Sequence, residues 1–338
     1  MDYLSIITIF TSIIYEAMPF VVLGVVLAGL LEEFVPQQLI LKFIPKRKVL
    51  VVLAIMLGGL LGVLFPMCEC GIIPVMRRLL RKGVPLSVCV CYMLAGPIIN
   101  IVVVLSTYAA FSGQDIPLDG DRILPLSIAF TAVRVGFGYI VAVITSIVVE
   151  WQFRIYGNAL LAPLAVMDVQ AHEPLDTEGG GPRRTWSESL GNISETAMHD
   201  FIDIMAFLVL GAFIAAVARL ILPSLGVEEA IRQGPVVAIL VMMALAIAFC
   251  LCSEADAFVA ANFQPVGLWP YAAKIAFLTL GPMLDFKLYF MYTRVFRKRL
   301  IVTLILCVTV QVFVYSVVLH YVSEAWLNEN QATTGHRR

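Results

Sequence analysis

FPMCECGIIP, residues 65–74, closes an apolar run, and the reading of this stretch decides the fold. Cys68 and Cys70 flank Glu69, and Pro66 and Pro74 bracket all three. A helix that simply crossed a bilayer has no use for thiols, a carboxylate and two helix breakers at its end. Charge indicates where the chain goes next. Lys42, Lys46, Arg47 and Lys48 precede the apolar run 49–65, and Arg77, Arg78, Arg81 and Lys82 follow it. Basic residues favour the cytoplasmic side, so a single crossing would strand the second cluster outside. The conflict disappears if residues 71–82 form a short helix returning from mid-membrane, with Cys-Glu-Cys at its tip. Twelve helical residues rise about 18 Å, which reaches the middle of a hydrocarbon core about 30 Å thick. Irregular backbone at that depth persists only where protein or a water-filled cavity surrounds it.

The rest of the chain fits this setting. Its 338 residues are 60% hydrophobic and 14% charged, with a mean hydropathy of +0.92. An ordinary globular domain is about 45–50% apolar and about 25% charged. Apolar segments at 4–34, 49–65, 85–111, 123–149, 198–222, 234–250, 271–293 and 300–322 predict an all-α polytopic membrane protein of about eight transmembrane helices. The lipid bilayer is the first partner. A net charge of −1 gives no sign of nucleic-acid binding. The start, MDYLSIITIF, has no basic region or cleavage site and reads as a retained span. Seven cysteines, without zinc-finger spacing to histidines, argue against a disulfide framework or a resident metal. No cofactor is expected, and no GxxxxGK[ST] motif appears.

Loop charge then orders the topology. The loop 112–121 lies outside, 151–197 inside, 223–234 outside and 294–299 inside, which leaves both termini outside. The chain divides into a first membrane repeat (1–150), a polar cytoplasmic linker (151–197) with interfacial helix at its ends, a second membrane repeat (198–322) and a polar tail (323–338). Within the linker, 168–185 is too polar and glycine-rich to order itself.

The two membrane parts repeat each other. In YEAMPFVVLGVVLAGLLEEFVP (15–36) and IDIMAFLVLGAFIAAVARLILP (202–223), Glu16, Phe20, Gly24 and Pro36 align with Asp203, Phe207, Gly211 and Pro223. Cys68-Glu69-Cys70 matches Cys250-Leu251-Cys252, and AGPIIN (95–100) matches LGPMLD (280–285), which sets Asn100 against Asp285. The matches keep one order, and loop charge starts the halves on opposite sides. Inverted repeats, each with a broken or re-entrant segment, point to a transporter with its site at the midplane.

Ionisable groups in apolar spans are costly and therefore candidates for function. Glu16, Asp203, Glu69, Glu254 and Asp256 are the candidates for ion coupling. The alternative for such groups is a structural ion pair or a helix cap, and Arg134 could neutralise one of the acids. Thiolates suit soft ions. Residues two apart on a regular helix diverge by about 200°, so Cys68 with Cys70, and Cys250 with Cys252, can share a solute only in unwound segments. With Asn100 and Asp285 they form the expected substrate site. Pro66, Pro74, Gly96, Pro97, Gly281 and Pro282 are the expected helix breaks. Cys89 and Cys91, in continuous helix, and the isolated Cys307 read as packing.

The Cys-x-Cys…Pro segment, AGPIIN, CSEADAFVAANF (252–263) and GPMLDFKL (281–288) resemble the permease family that includes the organoarsenical efflux permeases. The resemblance covers nearly the whole chain apart from 151–197, and the SEADAF form is closer to the uncharacterised branch. It implies an inner-membrane protein in which Cys68, Cys70, Cys252, Glu254, Asp256, Asn100 and Asp285 match the family's boxes. In some relatives it implies a second small membrane protein as partner. The expected function is a secondary permease exporting a small thiophilic or metal-related solute by alternating access. Two alternatives remain: a subunit of a two-protein membrane complex, and an intramembrane thiol–disulfide oxidoreductase. Redox enzymes usually carry Cys-x-x-Cys with partly exposed thiols, so a non-enzymatic role is favoured.

Overall fold

The computed structural model describes residues 3–34, 48–65, 67–113, 116–118, 122–124, 126–162, 186–221, 234–262 and 270–335. Among these residues the chain forms α1 (Tyr3–Phe34), α2 (Lys48–Leu64), α3 (Glu69–Arg81), α4 (Leu86–Ile99), α5 (Ile101–Ala110) and α6 (Leu126–Tyr156). It continues with α7 (Trp186–Ile221), α8 (Pro235–Phe249), α9 (Asp256–Asn262), α10 (Pro270–Leu280), α11 (Phe286–Val295) and α12 (Lys298–Gly335). The loop between α5 and α6 carries a short antiparallel ribbon, β1 (Ile116–Leu118) with β2 (Arg122–Leu124). Pro66 and the expected mobile stretch 168–185 lie outside the described residues.

Among the described residues, four stretches are long and apolar enough to cross a membrane: Ile6–Leu31, Leu86–Ala110, Ser127–Tyr156 and Lys298–Ala325. Shorter apolar helices cover Val51–Leu64, Ile204–Val217, Pro235–Phe249 and Tyr271–Leu280. Exposure runs opposite to that of a water-soluble protein. Leu57, Leu105, Leu306 and Val310 face outward, whereas Glu69, Arg134, Asp256, Asp285 and Lys287 are buried. Hydrocarbon is the solvent this surface fits, and the polar groups are held away from it.

The order of elements in α1–α6 recurs in α7–α12. Each half has a long helix, an apolar helix ending before Cys-x-Cys, a short helix, an apolar helix, a capped ten-residue helix and a long closing helix. Packing follows the same order: α2 contacts α4 and α6, as α8 contacts α10 and α12. Across the halves, α3 touches α11 and α9 touches α5. The long helices α1 and α7 pack against each other.

Two ends of the bundle can be told apart. At one, Ser87 donates to Glu150 Oε2 at 2.8 Å, and Gln152 Nε2 donates to Thr303 at 2.8 Å. At the same end Leu161 bridges Phe296 through Ala162 N–H to Val295 O and Arg297 N–H to Leu160 O, both 2.9 Å. The basic last turns of α3 and α11 gather there. At the other end Phe111 stacks on Phe130 with ring centroids 4.2 Å apart, and Phe130 meets Tyr271 edge-on at 5.8 Å.

Three expected helix breaks are corrected in place. Pro74 sits inside α3 and Pro97 inside α4, with Gly96 beside it. A helical proline forgoes one backbone bond, which neighbouring helices tolerate in a bilayer. Gly96 serves packing instead, because a Cβ there would overlap Ile72 Cδ1. The turns fall at Cys68 (φ −74°, ψ 173°), at Asn100 (φ −57°, ψ 133°) and at Gly281–Met283. A fourth falls at Cys250, whose φ of 47° is left-handed. α3 begins at Glu69, two residues earlier than expected, so Cys70 belongs to its first turn.

Candidate functional site

The site lies where α3 and α9 begin. Both short helices open with an acidic residue, Glu69 and Asp256, as suits the positive end of a helix dipole. Cys68 is extended and Cys70 helical, so the ~200° divergence of a continuous helix does not apply. Both cysteines are 1% exposed.

Glu69 connects the two halves. Its Oε1 accepts from Lys287 Nζ at 3.2 Å, and its Oε2 lies 3.4 Å from Ser253 Oγ. Lys287 is also 3.4 Å from Asp285 Oδ2. Asp285 caps α11, its Oδ1 accepting from Leu288 N–H at 2.7 Å. One lysine thus compensates a carboxylate from each half. The second half is held in turn by Arg134 of α6, which donates to Thr107 Oγ1 at 2.6 Å, Ser253 O at 3.0 Å and Asp256 Oδ2 at 2.8 Å. Lys287 and Arg134 are each 1% exposed, so their pairs act in a medium that screens them little.

The second thiol pair is divided. Cys252 Sγ donates to Glu16 Oε1 at 2.8 Å, bringing α1 into the network. Cys250 Sγ donates to Ile247 O at 3.4 Å. It packs with Ile13, Ala212 and Ala215 between α1 and α7. Ser253 Oγ lies 3.5 Å from Glu254 Oε2, so Glu254 shares the hydroxyl that faces Glu69.

Of the residues predicted from the sequence, Glu16, Cys252, Glu69, Glu254, Asp256 and Asp285 join one network, with Cys68 and Cys70 on either side of Glu69, while Cys250 packs apart between α1 and α7. Asn100 caps α5, accepting from Val102 N–H at 2.9 Å, and no described hydrogen bond ties it to the thiols. The side chain of Asp203 lies outside the described part of α7. Cys89 and Cys91 are buried within continuous α4. Lys287, Ser253 and Thr107 were missed. The rule that singled out Arg134, a charge in an apolar span, applies equally to Lys287 in GPMLDFKLYF. No group of three or more His, Cys, Asp or Glu side chains among the described residues is arranged to hold a metal ion.

A nearly all-helical chain with a lipid-facing surface and a charged, thiol-bearing centre is a multi-pass membrane protein built around an internal polar site. The chain belongs to the predicted permease family, whose model matches residues 3–321. It is 38% identical to the UPF0718 protein YcgR of Bacillus subtilis (strain 168) over 318 residues, covering 94% of this chain and 98% of that one. It is 29% identical over 316 residues to a Streptococcus mutans (serotype c) protein named "Putative two-component membrane permease complex subunit", covering 94% and 95%. No solved structure matches. The protein is therefore a membrane transporter of the cell membrane.

Proposed function

We propose that this chain is a secondary permease that moves a small thiophilic or metal-related solute, outward, by alternating access between two inverted repeats. The observation that carries the reading is the meeting of the two Cys-x-Cys segments: Ser253, next to Cys252, faces Glu69, between Cys68 and Cys70. Paired soft sulfurs beside carboxylates offer a solute two thiols and places for the protons they release. The repeated element order supports two units that rock about this point. Opposite membrane orientations would bring α3 to the centre from the basic end of the bundle and α9 from the other. Glu16, Asp203, Glu69, Glu254 and Asp256 are the carboxylates for ion coupling, Glu69 and Asp256 with a cation already beside them.

A second reading, a subunit that transports only with a partner protein, is favoured by the name of the Streptococcus mutans relative. Proteoliposomes containing this chain alone, loaded in turn with arsenite, antimonite, Cd2+ and Zn2+, test both readings. Flux of one of these solutes, lost in Cys68→Ser and Cys70→Ser, is expected. Flux that appears only after adding a membrane partner supports the subunit reading, and flux indifferent to both serine variants overturns the thiol site.

A further inference from the structure

Arg134 and Lys287 play reciprocal roles from different elements of the two halves, α6 and α11. Lys287 belongs to the second half, on α11, and binds Glu69, which lies between the two cysteines of the first half, at 3.2 Å. Arg134 belongs to the first half, on α6, and binds Ser253 O and Asp256 at 3.0 and 2.8 Å, directly beyond Cys252 of the second half. Each half therefore holds the other's broken segment. Neither segment can hold itself well. Each contains a break in the helix, at Cys68 and over 250–255, and Cys250 sits in a left-handed conformation that favours glycine.

We propose that Arg134 and Lys287 are positioning residues for the thiol site, each reaching from its own half to brace the other half's Cys-x-Cys segment, so that the two segments meet only while both ion pairs are closed. The inference rests on the thiol-site reading above. Sliding one half past the other lengthens both pairs together. The arrangement that brings the two Cys-x-Cys segments together is therefore also the arrangement that locks the halves.

The test uses the full-length purified protein and Cd2+, whose bonds to thiolates give an ultraviolet charge-transfer band. The native protein is expected to show the band, and Cys68→Ser with Cys70→Ser to reduce it. Lys287→Met and Arg134→Met should each weaken Cd2+ binding about tenfold or more, the scale of one lost charge-assisted hydrogen bond. Arg134→Lys keeps the charge but cannot reach Thr107, Ser253 O and Asp256 together. It should fall between native and Arg134→Met, and it decides the point if the methionine variants fail to accumulate. Native-like Cd2+ affinity in Arg134→Lys and in any methionine variant that folds overturns the bracing role while leaving the thiol site intact. Absence of the band in the native protein overturns the thiol-site reading and this inference with it.

Discussion

The crossing of α1 and α3 can be tested with a single methyl group. A Cβ built on Gly24 would stand 2.5 Å from Gly71 Cα and 2.8 Å from Gly71 C, and one on Gly71 would stand 2.7 Å from Phe20 O. Real Cβ contacts below 3.0 Å are essentially never seen. Every atom met is backbone, so no rotamer change relieves the overlap. Restoring ordinary contact requires the two helices to part by about 1 Å, and overpacking of that kind costs about 1–3 kcal/mol. Alanine recovers about 0.5–1 kcal/mol through helix propensity, so Gly24→Ala or Gly71→Ala should lose about 1–2 kcal/mol net. In a bilayer the loss falls on close packing, because apolar burial does not drive helix association there. Thermal unfolding of detergent-purified protein, followed by size-exclusion of the surviving fraction, measures it. Gly136→Ala is the control, since nothing lies within 4 Å of a Cβ there, and it should be neutral or slightly stabilising. If Gly24→Ala and Gly136→Ala unfold together, α1 and α3 do not cross at these glycines.

The crossed charges and the orientation give further expectations. Arg134→Met leaves Asp256 buried without its cation and should cost about 3–5 kcal/mol, whereas Arg134→Met with Asp256→Asn should cost clearly less; equal losses in unfolding experiments would mean the pair is not closed. Gly211→Ala places a Cβ 2.8 Å from Lys287 Cα, so transport should fall more steeply than stability, as flux and unfolding measured on the same preparation will show. Cys91→Ala, a packing change, should leave transport near native, and a loss as deep as in Cys68→Ser would move the site. In intact cells an impermeant maleimide should label Ser112→Cys and leave Arg299→Cys unlabelled, with the reverse in inside-out vesicles; the opposite pattern would invert the assigned orientation.

The sequence alone determined the solvent of this protein and the order of its elements. A mean hydropathy of +0.92 requires hydrocarbon around the chain, and the charge conflict around 49–65 requires a turn at Cys-Glu-Cys. Both follow from local composition, since the cost of a charge in lipid does not depend on what lies elsewhere. The exact break was less legible. Pro74 and Pro97 signal interruption by missing one hydrogen bond each, yet packing carries the helix through them, and the turns come at Cys68, Asn100 and Cys250. Partnership was not legible at all. Glu69 and Lys287 are separated by 218 residues, as Arg134 and Asp256 are by 122, and no periodicity links them. Only the docking of one half on the other decides which acid meets which base. Each buried ion is stable only with its partner in place, so the pairing belongs to the assembled fold and not to either segment.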